Sequence, residues 1–469
     1  MFPASKEDYP EVAILFHWPW IDAMNATTAR RPTTLSAAWS LWTLLLGVGL
    51  LMMGNGLQGS LLGVRASAAD FGNTVTGLVM SSYFVGFLVG SVLTPRKLRE
   101  VGHVRVFAAL ASITSVAILI HALFVEPLVW AAMRFVTGFT YAGLYVVAES
   151  WLNGYASNRL RGRLLAIYMV ISYLGMGGGQ LLLGSADPSG MALFLLVSIL
   201  VSLALVPILI SYTPQPELSQ PEAMSLRALY RLSPLGTVGC FMTGITNGAV
   251  FGMGAVFATN SGLSIAQVSV FMGAFIFGGA ILQWPLGKLS DKADRQWVIV
   301  GVALVAVILA LVGALVSGWS PMALTLLGAL LGATTLTLYS IFLACANDFL
   351  TDQQTVAASA SLVLALGIGA ILGPASAGVL MEWLGPDGFL WDLAVMHIVM
   401  VLFGLYCIRY YPTSESPEQG HYVMVASDTT PLGTAWTEEA AQEEGQLELA
   451  LEMEAEPEDE VDDETSAGR

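Results

Sequence analysis

Twelve long apolar stretches are the feature that most limits how this chain can fold. A bilayer core about 30 Å thick is crossed by about 20 apolar helical residues, and the sequence offers twelve segments of that kind. They are residues 38–63, 74–94, 104–124, 128–149, 164–184, 191–212, 236–258, 266–287, 297–317, 322–345, 355–380 and 389–410. Only 12% of the residues are charged and the mean hydropathy is +0.69, which excludes a soluble globular domain. The sequence therefore predicts an all-α integral membrane protein with twelve transmembrane helices.

Positively charged residues predict how the chain is oriented in the membrane. Lys and Arg near span ends are retained in the cytoplasm, so the more positive side of a multi-pass protein is the inner one. With the amino terminus inside, 16 of the 18 Lys and Arg residues before Tyr411 fall in cytoplasmic segments. Of the other two, Arg65 falls outside and Arg134 lies within a span. We expect a multi-pass protein of the bacterial inner membrane with both termini in the cytoplasm.

The segments outside the spans differ in composition. The net charge of −16 arises after residue 411, where one Arg accompanies 17 acidic residues, whereas the preceding chain has 18 basic and 18 acidic residues. That composition is typical of a disordered, self-repelling tail, and it leaves no basic surface for nucleic acid. We predict a cytoplasmic leader (1–37), an amino-terminal six-helix half (38–212), a central cytoplasmic loop (213–235), a carboxy-terminal six-helix half (236–411) and an acidic disordered cytoplasmic tail (412–469).

The two halves of the sequence repeat each other weakly. Residues of the first half recur in the second at an offset of 192 to 194 positions, in spans one, four and five. The matching positions are Asn55 with Asn247, Gly138 with Gly332, Tyr145 with Tyr339, Asn153 with Asn347, and Leu174 with Leu366. Because each half contains an even number of spans, both halves enter the membrane in the same direction. This arrangement predicts two parallel repeats about an axis along the membrane normal.

Local motifs carry a resemblance to the major facilitator superfamily of membrane transporters. The segment QWPLGKLSDKADR between spans eight and nine resembles the family's cytoplasmic-loop signature and supplies Gly287, Asp291, Lys292 and Arg295. The segment RFVTGFTYAG, which begins at Arg134, resembles the signature of the family's fourth helix. The runs YVVAESWLN, RGRLLAIYM and GQLLL are similar to a bacterial group within the family, the YcaD-like branch.

The resemblance covers residues 38–411 and implies a secondary transporter that moves a small solute by alternating access. It implies a central cavity between the halves, lined by the first, fourth, seventh and tenth helices. Polar residues on those helices are then candidates for the cavity wall: Asn55, Gln58, Arg134, Tyr141, Tyr145, Asn247, Thr335 and Tyr339. The alternative is that these groups form hydrogen bonds between helices, each stabilising the bundle by about 0.6 kcal/mol.

Arg134 is the one strongly basic side chain deep within a predicted span. Insertion scales put the cost of such a residue near the bilayer centre at roughly 2.5 to 3.5 kcal/mol, so it requires compensation. Glu149 lies on the same helical face but fifteen residues away, which is about 22 Å along a helix. Two alternatives follow: carbonyls and polar side chains hold Arg134 as a structural or gating residue, or Arg134 meets an anionic substrate. An anionic or neutral polar solute fits this interior better than a cation.

A second group of residues lies at the predicted inner ends of the spans and is expected to form an inner gate or latch. Its members are Glu149, Gly287, Asp291, Lys292, Arg295 and Asp348. We expect Glu149 to pair with a loop arginine. From the resemblance, Asp291 and Arg295 are expected to belong to a latch that closes in one conformation and opens in the other.

Other functional classes find little support in the sequence. The five histidines lie on five different segments, and the three cysteines lie in apolar stretches, so neither set predicts a metal site or a disulfide. Gly54 to Gly59 formally fit a dinucleotide motif, but they lie inside an apolar helix with no preceding strand. The chain has no phosphate-binding loop for ATP.

We therefore predict that the protein is not an enzyme and binds no cofactor and no metal. The expected partners are a small-molecule substrate, a coupling ion if transport is ion-driven, and membrane lipid, with a monomer as the expected state. Two alternatives remain open: a non-transporting membrane sensor or receptor on the same fold, and a drug-efflux antiporter.

Overall fold

The computed structural model describes residues 41–155, 158–210, 224–316, 318, 320–411, 422–426 and 429–437. These residues contain 12 helices that are long and apolar enough to cross a membrane, which confirms the sequence prediction. The predicted leader (1–37) and residues 213–223 of the central loop lie outside the described residues. The helices are α1 (Trp42–Ala68), α2 (Asn73–Val101), α3 (His103–Leu123), α4 (Pro127–Tyr155), α5 (Asn158–Leu182), α6 (Ala192–Ile210), α7 (Pro234–Asn260), α8 (Ile265–Lys292), α9 (Arg295–Leu315), α10 (Pro321–Asn347), α11 (Asp352–Leu384) and α12 (Gly388–Tyr410).

Local chemistry explains where several helices begin. Capping boxes begin α8 and α11. The side chain of the N-cap residue, Ser264 or Thr351, accepts a hydrogen bond from a backbone N–H of the first turn. In return, a glutamine side chain of that turn accepts a hydrogen bond from the backbone N–H of the N-cap residue. The side chain of Ser320 caps α10, whose first residue is proline. A short helix, Leu226–Leu232, lies in the central loop and leads into α7.

The two halves pack their helices in the same pattern. In the first half α1 packs against α5, α2 against α4 and α3 against α6. In the second half α7 packs against α11, α8 against α10 and α9 against α12, which are the same pairs shifted by six helices. Between the halves, α2 contacts α11 and α5 contacts α8. The parallel repeat expected from the sequence is thus present in the packing.

Glycines at matching positions allow the closest helix contacts in both halves. A Cβ added to Gly138 of α4 would overlap with the backbone oxygen of Tyr83 in α2. A Cβ added to Gly332 of α10 would overlap in the same way with the backbone oxygen of Phe275 in α8. Membrane helices associate through close packing of small residues, because lipid gives no hydrophobic drive between them. The repeated glycines therefore have a packing role.

Several polar contacts join the halves at one end of the bundle. We call the end where α1 begins and α12 ends the terminal face, and the end that holds the α1–α2 turn the opposite face. At the opposite face Glu382 of α11 accepts hydrogen bonds from the backbone N–H groups of Asn73 (2.9 Å) and Thr74 (3.3 Å) at the start of α2. Asn260 of α7 donates to the side chain of Asn73 at 3.0 Å. The opposite face is therefore closed between the halves.

The prediction of a disordered tail is wrong for part of residues 412–469. Residues 422–426 and 429–437 are packed at the terminal face, and residues 431–437 form a helix. The physical reason is an uneven composition: 14 of the 17 acidic residues of the tail follow residue 437, whereas residues 422–437 contain one acid among apolar residues and threonines. Averaging over the whole tail conceals a segment that is able to bury itself.

Substitution of Gly138 tests the packing of the repeat. Gly138→Ala should lower the thermal stability of the detergent-purified protein, because overpacking a tight contact costs typically about 1–3 kcal/mol. Gly301→Ala is the matched control, since Gly301 lies in α9 and nothing lies within 4 Å of a Cβ added there. Equal melting temperatures for the two variants would contradict the packing role.

Candidate functional site

A central cavity of about 90 Å³ lies between the two halves. Helices α1, α2, α4, α5, α7 and α11 form its wall, so both halves contribute. Aromatic and aliphatic side chains dominate, with a few polar groups among them. The wall includes Asn55, Tyr83, Phe84, Phe87, Leu88, Ser91, Arg134, Met176, Gln180, Asn247, Phe251, Val363 and Leu366. A largely apolar cavity with few convergent polar groups is typical of a small-molecule site.

The polar groups of the wall differ in how they are satisfied. The amide of Asn55 donates to the hydroxyl of Tyr145 at 2.8 Å and accepts a hydrogen bond from Tyr83 at 3.4 Å. The side-chain oxygen of Gln180 accepts a hydrogen bond from Ser60. Asn247 is different, because neither its amide nitrogen nor its oxygen has a hydrogen-bond partner among the described residues. Its side chain therefore has unused hydrogen-bonding capacity at the cavity wall.

Arg134 lies on the cavity wall and is only 3% exposed. Its guanidinium lies over the ring of Tyr83, 4.3 Å from the ring centroid. Such a cation–π contact stabilises a desolvated cation by about 2 kcal/mol, which offsets most of the cost of inserting Arg134 into the membrane. The contact does not satisfy the N–H groups of the guanidinium, because it is not a hydrogen bond. Within the described part of the chain, Nε and Nη1 of Arg134 have no hydrogen-bond partner.

The structure places three of the eight predicted cavity residues on the wall: Asn55, Arg134 and Asn247. The other five are buried away from it: Gln58, Tyr141, Tyr145, Thr335 and Tyr339. Tyr145 still supports the wall through its hydrogen bond to Asn55. Helix α10 was expected to line the cavity but contributes no residue to this wall, because it packs against α7, α8 and α9. Thr335 instead faces His397 of α12, at 3.5 Å.

Sequence reasoning missed the contributions of α2, α5 and α11 to the wall. Tyr83 and Gln180 are polar residues inside apolar spans, which is a signal that could have been used. The apolar wall residues, such as Phe87 and Leu366, carry no such signal. They reach the cavity because closure of the opposite face brings α2 against α11 and α5 against α8.

Part of the predicted latch forms a buried ion-pair network at the terminal face. Arg295 donates through Nη1 to Asp348 at 2.6 Å and through Nη2 to Asp291 at 2.9 Å, and its side chain is 2% exposed. The network joins the α8–α9 turn to the end of α10. Lys292 is exposed at the surface, and Gly287 lies against the ring of Tyr422. These contacts lie within the second half and its tail.

Glu149 lies at the terminal end of α4 in the first half and is fully buried. Its carboxylate accepts hydrogen bonds from the hydroxyl of Tyr168 (3.2 Å), from the backbone N–H of Thr430 (3.3 Å) and from the hydroxyl of Thr430. The expected pairing with a loop arginine remains a prediction, because the side chains of residues 155–162 lie outside those described.

The fold and the cavity define a multi-pass membrane transport protein, and comparison with known proteins identifies its family. The sequence model of the Major Facilitator Superfamily matches residues 44–253 and 236–440. The chain belongs to this superfamily. Twelve apolar helices and bacterial relatives in this family indicate a multi-pass protein of the inner membrane.

Relatives that are about 30% identical to this chain include bacterial proteins of Escherichia coli. The chain is 30% identical over 341 residues to the uncharacterized MFS-type transporter YcaD of Escherichia coli O45:K1, covering 72% of this chain and 88% of the relative. The YcaD protein of Escherichia coli strain SE11 is 31% identical over the same length, with the same coverage. The resemblance to the YcaD-like branch is thereby confirmed.

Solved structures confirm the fold. A mutant of the nucleoside transporter NupG superposes with a TM-score of 0.67 at 12% identity, covering 78% of this chain and 99% of that one. A bacterial homolog of the human lysosomal transporter Spinster, inward-facing and occupied, superposes with a TM-score of 0.68 at 14% identity, covering 81% and 98%.

Breaking the ion-pair network should destabilise the second half. Asp348→Ala removes one partner of the buried Arg295, and such a loss costs about 3–5 kcal/mol because it leaves an undercompensated buried charge. A thermal melt in detergent should show a clear decrease. The control is Glu100→Ala, which breaks the exposed pair with Lys97 and should leave the melting temperature almost unchanged. Similar effects of the two substitutions would contradict the assignment.

Proposed function

We propose that this protein is a secondary transporter that moves a small solute across the inner membrane by alternating access, with the terminal face in the cytoplasm. The observation that carries the proposal is the central cavity on the interface of two repeated halves. In a pair of parallel repeats, rocking one half against the other exposes such a site to each side in turn. The distribution of Lys and Arg supports the orientation.

The arrangement of the halves corresponds to an inward-facing state in this proposal. The opposite face, which is then the outer one, is closed by contacts of α2 with α7 and α11. Glu382 contributes directly, because its carboxylate binds backbone N–H groups at the amino terminus of α2. These N–H groups have no partner within the helix, and the helix dipole favours a negative charge there.

The substrate that fits the cavity best is an organic anion or a polar solute with an apolar body. Nε and Nη1 of Arg134 lack protein partners among the described residues, and the amide of Asn247 is also unsatisfied. A carboxylate or phosphate would satisfy several of these groups, since guanidinium binds such oxygens in bidentate fashion. Tyr83, Phe87 and Phe251 offer apolar and aromatic surface to the rest of the molecule.

Arg134→Gln tests this assignment. In a thermal-shift screen with organic acids, sugars, nucleosides and lipophilic drugs, anionic compounds should stabilise the unmodified protein and lose that effect in the variant. A ligand at a hundred times its Kd stabilises the folded state by about 2.7 kcal/mol, which a melt resolves.

The matched control is Arg409→Gln, which removes an exposed arginine at the end of α12 and should retain every hit. Anionic hits that survive in Arg134→Gln would show that Arg134 is structural. Hits confined to cationic or lipophilic drugs would favour efflux of such compounds.

A second experiment tests alternating access without a known substrate. Spin labels at Ala68→Cys and Ser261→Cys report the separation of α1 from α7 at the opposite face, and the three native cysteines are buried and unreactive. Glu382→Ala should increase the long-distance population by about two- to fivefold, because the lost helix-terminal contact contributes about 0.3–1 kcal/mol. Glu126→Ala, in the α3–α4 turn of the same face, serves as the control. A distribution that never changes would argue against rocking halves.

A further inference from the structure

Tail residues 422–426 and 429–437 lie at the terminal face, and the first of these stretches is bound to the second half. The backbone N–H of Tyr422 donates to Asp291 at 2.9 Å. The backbone of Val425 makes two hydrogen bonds with the hydroxyl of Ser340. Its oxygen accepts one at 2.8 Å, and its N–H donates the other at 3.2 Å. Gln283 also donates to the oxygen of Val425, at 3.3 Å. The segment thereby contacts α8 and α10.

The same segment is bound to the first half. Both the backbone N–H and the hydroxyl of Thr430 donate to the buried carboxylate of Glu149 in α4. The hydroxyl of Thr429 lies 4.0 Å from the sulfur of Met169 in α5. Gly433 lies so close that a Cβ added there would overlap with the Glu149 carboxylate. The segment therefore bridges α4 and α5 of one half to α8 and α10 of the other.

Apolar side chains of the segment are buried in the apolar clusters of the helix bundle. Val425 is fully buried in an apolar cluster of the second half. Leu432 and Trp436 are each 6% exposed and pack in the main apolar cluster, to which the first half contributes. Departure of the segment would remove two of the hydrogen bonds that the buried Glu149 carboxylate accepts, and hydrogen bonds to a buried charged group are costly to lose.

We propose that residues 422–426 and 429–437 form an internal plug that holds the transporter in this one conformation until the plug leaves. The inference rests on the proposed alternating access. Opening the opposite face requires the halves to approach each other at the terminal face, which is the space that the segment occupies. The carboxylates of Glu149 and Asp291, both candidates for the inner latch, accept hydrogen bonds from the plug, and Asp291 also pairs with Arg295. Departure of the plug is thus a controlling step ahead of transport.

The chain around the plug suits a segment that binds and leaves. Ten residues, 412–421, join the end of α12 to the plug, and an extended chain of that length reaches up to about 35 Å. After the plug come 14 acidic residues within 438–469, a composition that favours water over burial. The connection therefore allows the plug to leave while it stays tethered, with an effective concentration near the millimolar range.

Two truncations of the spin-labelled protein separate the plug from the acidic segment. Ending the chain after residue 421 removes both, whereas ending it after residue 437 removes only the acidic segment. With labels at Ala68→Cys and Ser261→Cys, the shorter chain should show a several-fold larger open population at the opposite face. The longer chain should match the full-length protein. Equal distributions in all three proteins, or the same shift in both truncations, would overturn the proposal.

Addition of the plug as a separate peptide provides a rescue that misfolding cannot mimic. A synthetic peptide of residues 422–437, at about millimolar concentration, should return the shorter chain to the closed distribution. A peptide with Thr430→Val and Trp436→Ala should fail, because it lacks the Glu149 contact and the buried ring. Failure of the unmodified peptide to restore closure would contradict the plug.

The Glu382→Ala variant distinguishes failure of the plug from failure of alternating access. If Glu382→Ala opens the opposite face but removal of residues 422–469 does not, the halves rock and the plug proposal is wrong. If neither change opens the face, the proposed transport mechanism is itself contradicted. Trp436→Ala in the full-length chain gives a milder test, since it should open the face partially with every other contact retained.

Discussion

The absence of water in a bilayer core dictates the architecture of this protein. Each backbone N–H and C=O group in lipid must find a partner within its own segment, so every crossing is a helix. Helices in lipid gain nothing from hiding apolar surface, and they hold together only where their backbones come close. Glycines such as Gly138 and Gly332 permit that approach at matching places in the two halves. Each half is consequently a tightly packed body, which is what rocking motions require.

Buried arginines in the two halves show how differently one charge is accommodated. Arg295 at the terminal face has carboxylates on either side, and the three residues form a compact unit. Arg134 lies deep in the bundle over the face of Tyr83, with part of its guanidinium unsatisfied by the described protein. In the first arrangement, carboxylates of the protein itself neutralise the charge. The second lacks, among the residues described, hydrogen bonds that a protein interior ordinarily provides, and the proposed anion site rests on this difference.

The sequence predicted the fold well because hydropathy and the repeat act over whole spans. It predicted Asn55, Arg134 and Asn247 on the cavity wall because polar residues inside apolar helices stand out. Phe87 and Leu366 carry no such mark, and only the closure of α2 against α11 brings them to the cavity. The prediction of a disordered tail was partly wrong for another reason. Its charge lies almost wholly beyond residue 437, so an average over 58 residues described the acidic part and concealed the part that packs.

The contact of Glu382 with the start of α2 has a consequence for the energy balance of the molecule. The carboxylate belongs to the second half and completes the hydrogen bonding of a helix in the first. An exposed contact of this kind stabilises one arrangement by about 1 kcal/mol or less, and 1.4 kcal/mol changes an equilibrium tenfold. If the halves rock as proposed, the Glu382 contact by itself would therefore not lock the opposite face. In the proposed transport cycle, the plug at the terminal face would then control the exchange between states, and the Glu382 contact would only adjust their balance once the plug has left.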